Sequence, residues 1–450
     1  MDIFGKKILV VGLARSGDAA ARFCLGRGAV VTVADAASSP TLAERAEKLR
    51  ALGITVVLGS QEDEFFHAAD IIVLSPGVPH TLAPIVEAKK RGALVMGEME
   101  LACRFVEADL IAVSGTNGKT TCTTLLSKML EKTFANVLLG GNIGDPLIGY
   151  ADRSEKADCA AVEVSSFQLD TIIDFHPLVS ILLNVTDDHQ DRYSGMKDYA
   201  ASKERLFLNQ TENDFAVLNG KDGYIREMAP RIKAKKFFFA GRRENEAGAD
   251  IHRDRIEFFL PGGANWTLSL EKMSLAGEHN RENVAAAALG AYLAGAKAQG
   301  IQAALDEFTG LAHRLEFVAE INGVRYYDDS KGTNVDAVLR ALEGFDEPLV
   351  LIMGGRDKAS DFTVLRDMVQ KKVKLLILAG EAGPVIGKAL SGTTAIETAP
   401  NVPEAVRMAA RAAKPGWVAL LSPGCASFDA YNSYAERGRD FCRAVRSLAQ

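Results

Sequence analysis

Between Leu110 and Leu130 the chain reads LIAVSGTNGKTTCTTLLSKML, an order of residues that few folds accommodate. Leu110 to Val113 is a short apolar run with the look of a buried strand. Leu125, Leu126, Met129 and Leu130 recur at the spacing of one helical face. Between them lie Ser114, Gly115, Thr116, Asn117, Gly118, Lys119, Thr120 and Thr121. Glycines let successive backbone N–H groups converge on one point, and the following helix adds about half a positive charge at its start. Such a loop suits phosphate. Lys119 is placed to reach outer phosphates, and the hydroxyls of Thr120 or Thr121 suit magnesium. The usual pattern has a further glycine where this chain has Val113.

The rest of the chain must supply partners for that loop. With 450 residues, about three domains are expected. Hydrophobic residues make up 48% and charged residues 24%, which speaks against disorder and against a membrane class. A net charge of −6 argues against a general nucleic-acid binder, so any anion must be met by local lysines and arginines. Cys24, Cys103, Cys122, Cys159, Cys425 and Cys442 are scattered without metal spacing and read as reduced thiols. The N-terminal apolar run is too short to span a bilayer and has no small-residue cleavage signal after it. No membrane contact and a cytoplasmic location are the expectation.

Taken in order, Lys7 to Val11 reads as a strand running into Gly12, Leu13, Ala14, Arg15, Ser16 and Gly17, and a second strand ends at Asp35. This suggests a Rossmann-like unit, although Ala14 stands where pyrophosphate normally needs a glycine. A dinucleotide, another nucleotide-like ligand and simple packing all remain open here. Ile71 to Leu74 is a strand ending in the rigid loop Ser75 to Pro79. Glu163 ends an apolar run, where a buried carboxylate is tolerable if it faces a magnesium ion. Leu178 to Val185 leads to Asp187, Asp188 and His189, and Tyr199 to Leu208 reads as a helix in which Lys203 is simply solvated. Phe215 to Leu275 breaks into short alternating runs expected as antiparallel strands. Asn280 is placed to cap an alanine-rich helix. From about Ala312 strands and helices alternate again, with Asp329, Ser330, Lys331, Thr333, Lys358 and Ser427 at strand ends.

GTNGKTT resembles the ATP loop of the Mur ligases and the related folylpolyglutamate synthetases. GGNIG from Gly140, Glu163 with Ser165 and Ser166, Asp187 to His189, Lys203, GEHNREN, His313 with Arg314, DSKGTN from Asp329 and SPGCASFD from Ser422 extend the likeness over the whole chain. The resemblance implies an α/β fold of three domains: a Rossmann-like nucleotide-sugar domain (1–97), a P-loop-type ATPase domain with extra antiparallel strands (98–310) and a Rossmann-like amino-acid domain (311–450). The likeness is greatest to the branch that joins D-glutamate to UDP-N-acetylmuramoyl-L-alanine through an acyl phosphate in cytoplasmic peptidoglycan precursor synthesis. Other ligases of the family, an NAD-dependent oxidoreductase and a non-catalytic nucleotide-binding regulator are the rival readings.

By that resemblance Lys119, His189, Lys203 and Lys331 are catalytic. Gly115 to Thr121, Asn280, Asn283, Arg314 and Asp329 would bind ATP. Ala14, Arg15, Ser16, Asp35, Ser75, Asn142 and His189 would hold the UDP substrate. Thr333, Lys358, Ser427 and Phe428 would receive D-glutamate, with Arg356 adding a positive charge nearby. Two magnesium ions would sit on Thr120, Glu163, His189 and a carbamylated Lys203. A monomer is expected, whose partners are UDP-N-acetylmuramoyl-L-alanine, D-glutamate and ATP.

Overall fold

The computed structural model describes residues 1–60, 63–151, 157–188, 192–275, 277–357 and 360–448. Near the N-terminus the apolar runs Lys7–Val11, Val30–Asp35, Thr55–Leu58, Ile71–Leu74 and Leu94–Gly97 form a parallel sheet. Its spatial order is third, second, first, fourth, fifth. The order reverses beside Lys7–Val11, so a crevice opens at the C-terminal ends of that strand and Ile71–Leu74.

A nine-stranded sheet follows, with Asp109–Ser114 between Cys159–Glu163 and Val179–Leu182. Phe215–Asn219 and Lys235–Phe239 were expected to be antiparallel, and both are parallel additions to this sheet. Phe237, Phe238 and Phe239 are all buried, the pattern of a strand covered on both faces. Among the described residues of this sheet, antiparallel pairing is confined to Gly248–Ile251, Arg255–Phe259 and Trp266–Ser269. The alanine-rich helix spans Glu278–Leu293 and is capped by Gly277, so Asn280 lies inside the first turn and is not the cap.

The C-terminal sheet runs Glu316–Ile321, Val324–Asp328, Val418–Leu421, Leu349–Met353, Val373–Leu378, Ala395–Thr398 in space. Its first pair is antiparallel and the others parallel. The first and last of these strands carry mixed, half-exposed sequences at the sheet edges, which is why no apolar run announces them.

One apolar core joins the N-terminal sheet to a face of the central sheet, from Ile8 and Val73 to Ala112 and Leu182. The other central face packs on the helices Lys119–Glu131 and Glu278–Leu293, and the C-terminal sheet has its own core on each face. Among the described residues no helix is long and apolar enough to cross a membrane. All six cysteines are free.

Candidate active site

The phosphate loop takes its shape from the strand before it and the helix after it. Asp109–Ser114 is buried beyond its first residue, and the helix Lys119–Glu131 starts at Gly118, which has φ +84°. A Cβ there would lie 2.3 Å from Asn283 Oδ1, so both handedness and space demand glycine. Asn184 Oδ1 accepts the N–H groups of Thr116 (3.0 Å) and Asn117 (2.8 Å), which fastens the loop to the neighbouring strand end. The N–H groups left for an anion are those of the first helical turn, which lack partners within the helix. Lys119 Nζ donates to the carbonyls of Gly115 (2.9 Å) and Thr116 (2.8 Å), folded back over its own loop.

A cleft of about 720 Å³ opens in front of this loop. Glu163 ends its strand directly beside Val113 and is 1% exposed. Asn142 Nδ2 donates to its Oε1 at 2.7 Å, while its Oε2 is buried without a hydrogen-bond partner. From the C-terminal sheet come Arg314, Asp329 and Lys331. Arg314 Nε is likewise buried without a partner, and burial lowers the pKa of its guanidinium. Lys331 Nζ donates to Thr120 Oγ1 at 2.9 Å. Burial, then the charge of Arg314, pushes that lysine down to about 7. Asp329 accepts from Ser422 Oγ at 2.8 Å, and burial raises its carboxyl to about 7. The cleft therefore holds a buried carboxylate oxygen and a buried guanidinium nitrogen that each lack a hydrogen-bond partner among the described residues.

Three family models tile the chain: the MurD-like N-terminal domain of Mur ligases over residues 6–97, the Mur ligase middle domain over 113–291 and the Mur ligase glutamate ligase domain over 313–425. A UDP-N-acetylmuramoylalanine–D-glutamate ligase of Desulfatibacillum aliphaticivorans is 55% identical over all of both chains. The chain belongs to the Mur ligase family. A ligase of the same description from Desulfosudis oleivorans is 48% identical over 99% of this chain and 97% of its own. The fold is shared with the UDP-N-acetylmuramate-alanine ligase of Thermotoga maritima, at 18% identity and a TM-score of 0.60 over 98% of this chain and all of the other.

In this Mur ligase the cleft is lined by Thr116 to Thr121, Asn142, Glu163, Asn280, Asn283, Arg314, Asp329, Lys331 and Thr333, while Gly115 is not among its lining residues. A second cavity of about 730 Å³ collects Ala14, Arg15, Ser16, Asp35 and Ser75, and it shares Arg15, Asn142 and Gly144 with the first. Within it the Asp35 carboxylate accepts the N–H groups of Leu13 (2.7 Å) and Ala37 (2.8 Å). Ser75 Oγ donates to the Gly12 carbonyl at 2.9 Å. Both side chains thus shape the loops that line the crevice.

Lys203 is the plain correction. Far from being solvated, it is 1% exposed and sits behind the phosphate loop, its Nζ donating to the Gly115 carbonyl at 2.8 Å. Burial, then the nearby charge of Lys119, drives its pKa well below the usual value. Ser427 is buried and Phe428 is 63% exposed, and neither lines the cleft. Arg356 is taken up in a bidentate pair with Glu381, at 3.1 Å for both bonds. His189 and Lys358 lie outside the described residues. Sequence reasoning missed Tyr434, which lines the cleft with Lys331 Nζ 4.9 Å from its ring centre. Its signal was an aromatic residue directly after Ser433, the cap of the last helix.

Proposed function

We propose that this Mur ligase joins D-glutamate to the alanyl carboxylate of UDP-N-acetylmuramoyl-L-alanine, converting ATP to ADP and phosphate, in peptidoglycan precursor synthesis in the cytoplasm. Full-length identity of 55% to a ligase of that description supports the choice of substrates. The observation that carries the chemistry is the pair of buried, unpartnered atoms, Glu163 Oε2 and Arg314 Nε, in one cleft. An unpaired buried polar atom is costly, and a metal-bound polyphosphate offers each its complement.

Nucleotide sugar enters the crevice lined by Ala14, Arg15, Ser16, Asp35 and Ser75, and its acyl end passes Asn142 toward the phosphate loop. ATP lies on Gly115 to Thr121, its base toward Asn280 and Asn283, with Arg314 and Asp329 closing on phosphates and ribose. The alanyl carboxylate attacks the γ-phosphorus, the bond to the ADP oxygen breaks, and an acyl phosphate forms. Anion meets anion in that step, so Lys119, Lys331 and Arg314 lower the barrier by offsetting repulsion. Thr120 or Thr121 with Glu163 would hold one magnesium, and His189 with a carbamate on Lys203 a second. Bound magnesium supplies charge neutralisation of the transferring phosphoryl group. The neutral amine of D-glutamate then attacks the acyl carbon, and phosphate leaves from the tetrahedral intermediate. Thr333 and Lys358 receive D-glutamate, with the ring of Tyr434 as a wall. Units 1–97, 98–310 and 311–450 act together as a monomer, excluding water from the acyl phosphate.

Phosphate release measured with ATP, magnesium, UDP-N-acetylmuramoyl-L-alanine and D-glutamate, omitting each in turn, tests the proposal. Release should require all four and vanish with L-glutamate in place of the D-isomer. Release without the acceptor pair, or with another amino acid only, assigns the chain to a different step.

A further inference from the structure

The helix Val335–Glu343 begins just beyond the Asp329 loop and carries Asp336 in its first turn. An acid at a helix start needs no explanation beyond the helix dipole, yet this carboxylate is turned onto another part of the molecule. Its Oδ2 accepts from Asn117 Nδ2 at 2.7 Å and from Thr186 Oγ1 at 3.2 Å, both in the central unit. Arg340 Nε, one turn along its own helix, completes the set at 3.2 Å. Asn334, the cap of the same helix, donates to Asn117 Oδ1 at 3.4 Å. Both ends of the Asn117 amide are thereby held by the C-terminal unit, while its backbone N–H is held by Asn184 within the central unit.

We infer that Asp336 is a positioning residue, clamping the tip of the phosphate loop to the C-terminal unit through Asn117 and Thr186. The side chain of Asp336 is only 19% exposed, so these bonds are not matched by equivalent bonds to water. Docking of the C-terminal unit brings Lys331 and Arg314 to the cleft, and the same docking orients Asn117. Loop geometry and the arrival of the two cations are thus one event. Arg340 balances the carboxylate, so the clamp adds little net negative charge beside the phosphates.

The activity side of this inference rests on the ligase reading above; the exchange measurement does not. Without substrates, hydrogen–deuterium exchange of the phosphate-loop peptide should quicken in Asp336→Ala. In turnover, Asp336→Ala should lower kcat by roughly tenfold or more, the scale of one lost hydrogen bond to a charged group. KM for the nucleotide sugar, which binds at the far sheet, should hold. Asp336→Asn keeps an acceptor for Asn117 and should fall between wild type and Asp336→Ala, and it serves if the alanine variant does not fold. Because the residues act through one another, the Asn117→Ala, Asp336→Ala double variant should be no slower than the slower single. Effects that multiply in the double variant, an asparagine variant as damaged as the alanine one, or wild-type exchange of the loop would overturn the clamp. Loss of all ligase activity in the wild type with quickened exchange in Asp336→Ala would reject the proposed reaction and keep the clamp.

Discussion

Burial penalises the charged form of a lysine amine, and a second lysine nearby adds to that penalty. Lys203 is in that position, with Gly115 as acceptor and Lys119 as neighbour. A neutral amine can attack carbon dioxide, forming an N–C bond and releasing one proton to leave a carbamate anion. We expect carbon-13 bicarbonate to give a carbamate signal in this protein that is absent from Lys203→Arg. Stripping carbon dioxide from the buffers should depress activity reversibly. The sign with pH follows from the depressed pKa: the amine is neutral above it and protonated below it. Acidification should therefore remove the carbamate and the activity together, and re-alkalinisation with bicarbonate should restore both. No carbon-13 signal and no response to carbon dioxide would leave Lys203 as a plain donor to the loop. Nothing local in the sequence distinguishes this lysine. Its burial comes from residues far along the chain, which helical spacing does not encode.

The strand, loop and helix around Gly118 were legible because they are built from short-range rules. The apolar run is the strand, glycine permits the left-handed turn, and the helical face recurs at its own period. Gly118→Ala tests how far the loop depends on that turn. Left-handed backbone costs a non-glycine residue roughly 1–2 kcal/mol, and the added methyl would press on Asn283, whose Oδ1 lies 2.3 Å away. We expect kcat/KM for ATP to fall by at least about tenfold, the equivalent of ~1.4 kcal/mol. Gly149→Ala, where the added carbon meets nothing within 4 Å, is the control and should leave ATP turnover unchanged. An equal effect of both substitutions would sink the argument. Strand direction was less legible than strand existence. Phe215–Asn219 and Lys235–Phe239 pair in parallel because helices cover the sheet, and covering is a property of the assembled layers.

Across the whole molecule, side chains of one unit bond residues of another, as Lys331 bonds Thr120. Arg192 does so too. Its guanidinium donates to the carbonyls of Gly77 (3.0 Å) and Val78 (3.1 Å) in the N-terminal unit and lies 4.3 Å above the Phe167 ring in the central one. Gly77 and Val78 line the cavity proposed above for the nucleotide sugar. Arg192→Ala should raise KM for the nucleotide sugar by about tenfold, the worth of a lost charge-assisted contact at a partly exposed site, with KM for ATP little changed. Equal rises in both constants would place Arg192 in general stability instead. Apolar periodicity and glycine chemistry determined, from the sequence alone, the α/β class and the phosphate loop, because each depends on neighbours within a few positions, whereas Asn283 and Arg314 were named only through the family resemblance. Tertiary structure alone decided that Lys203 is buried, that Tyr434 and not Phe428 reaches the cleft, and that Asp336 grips Asn117. Those outcomes depend on which distant segments pack together, and burial, desolvation and interdomain hydrogen bonds arise only once they do.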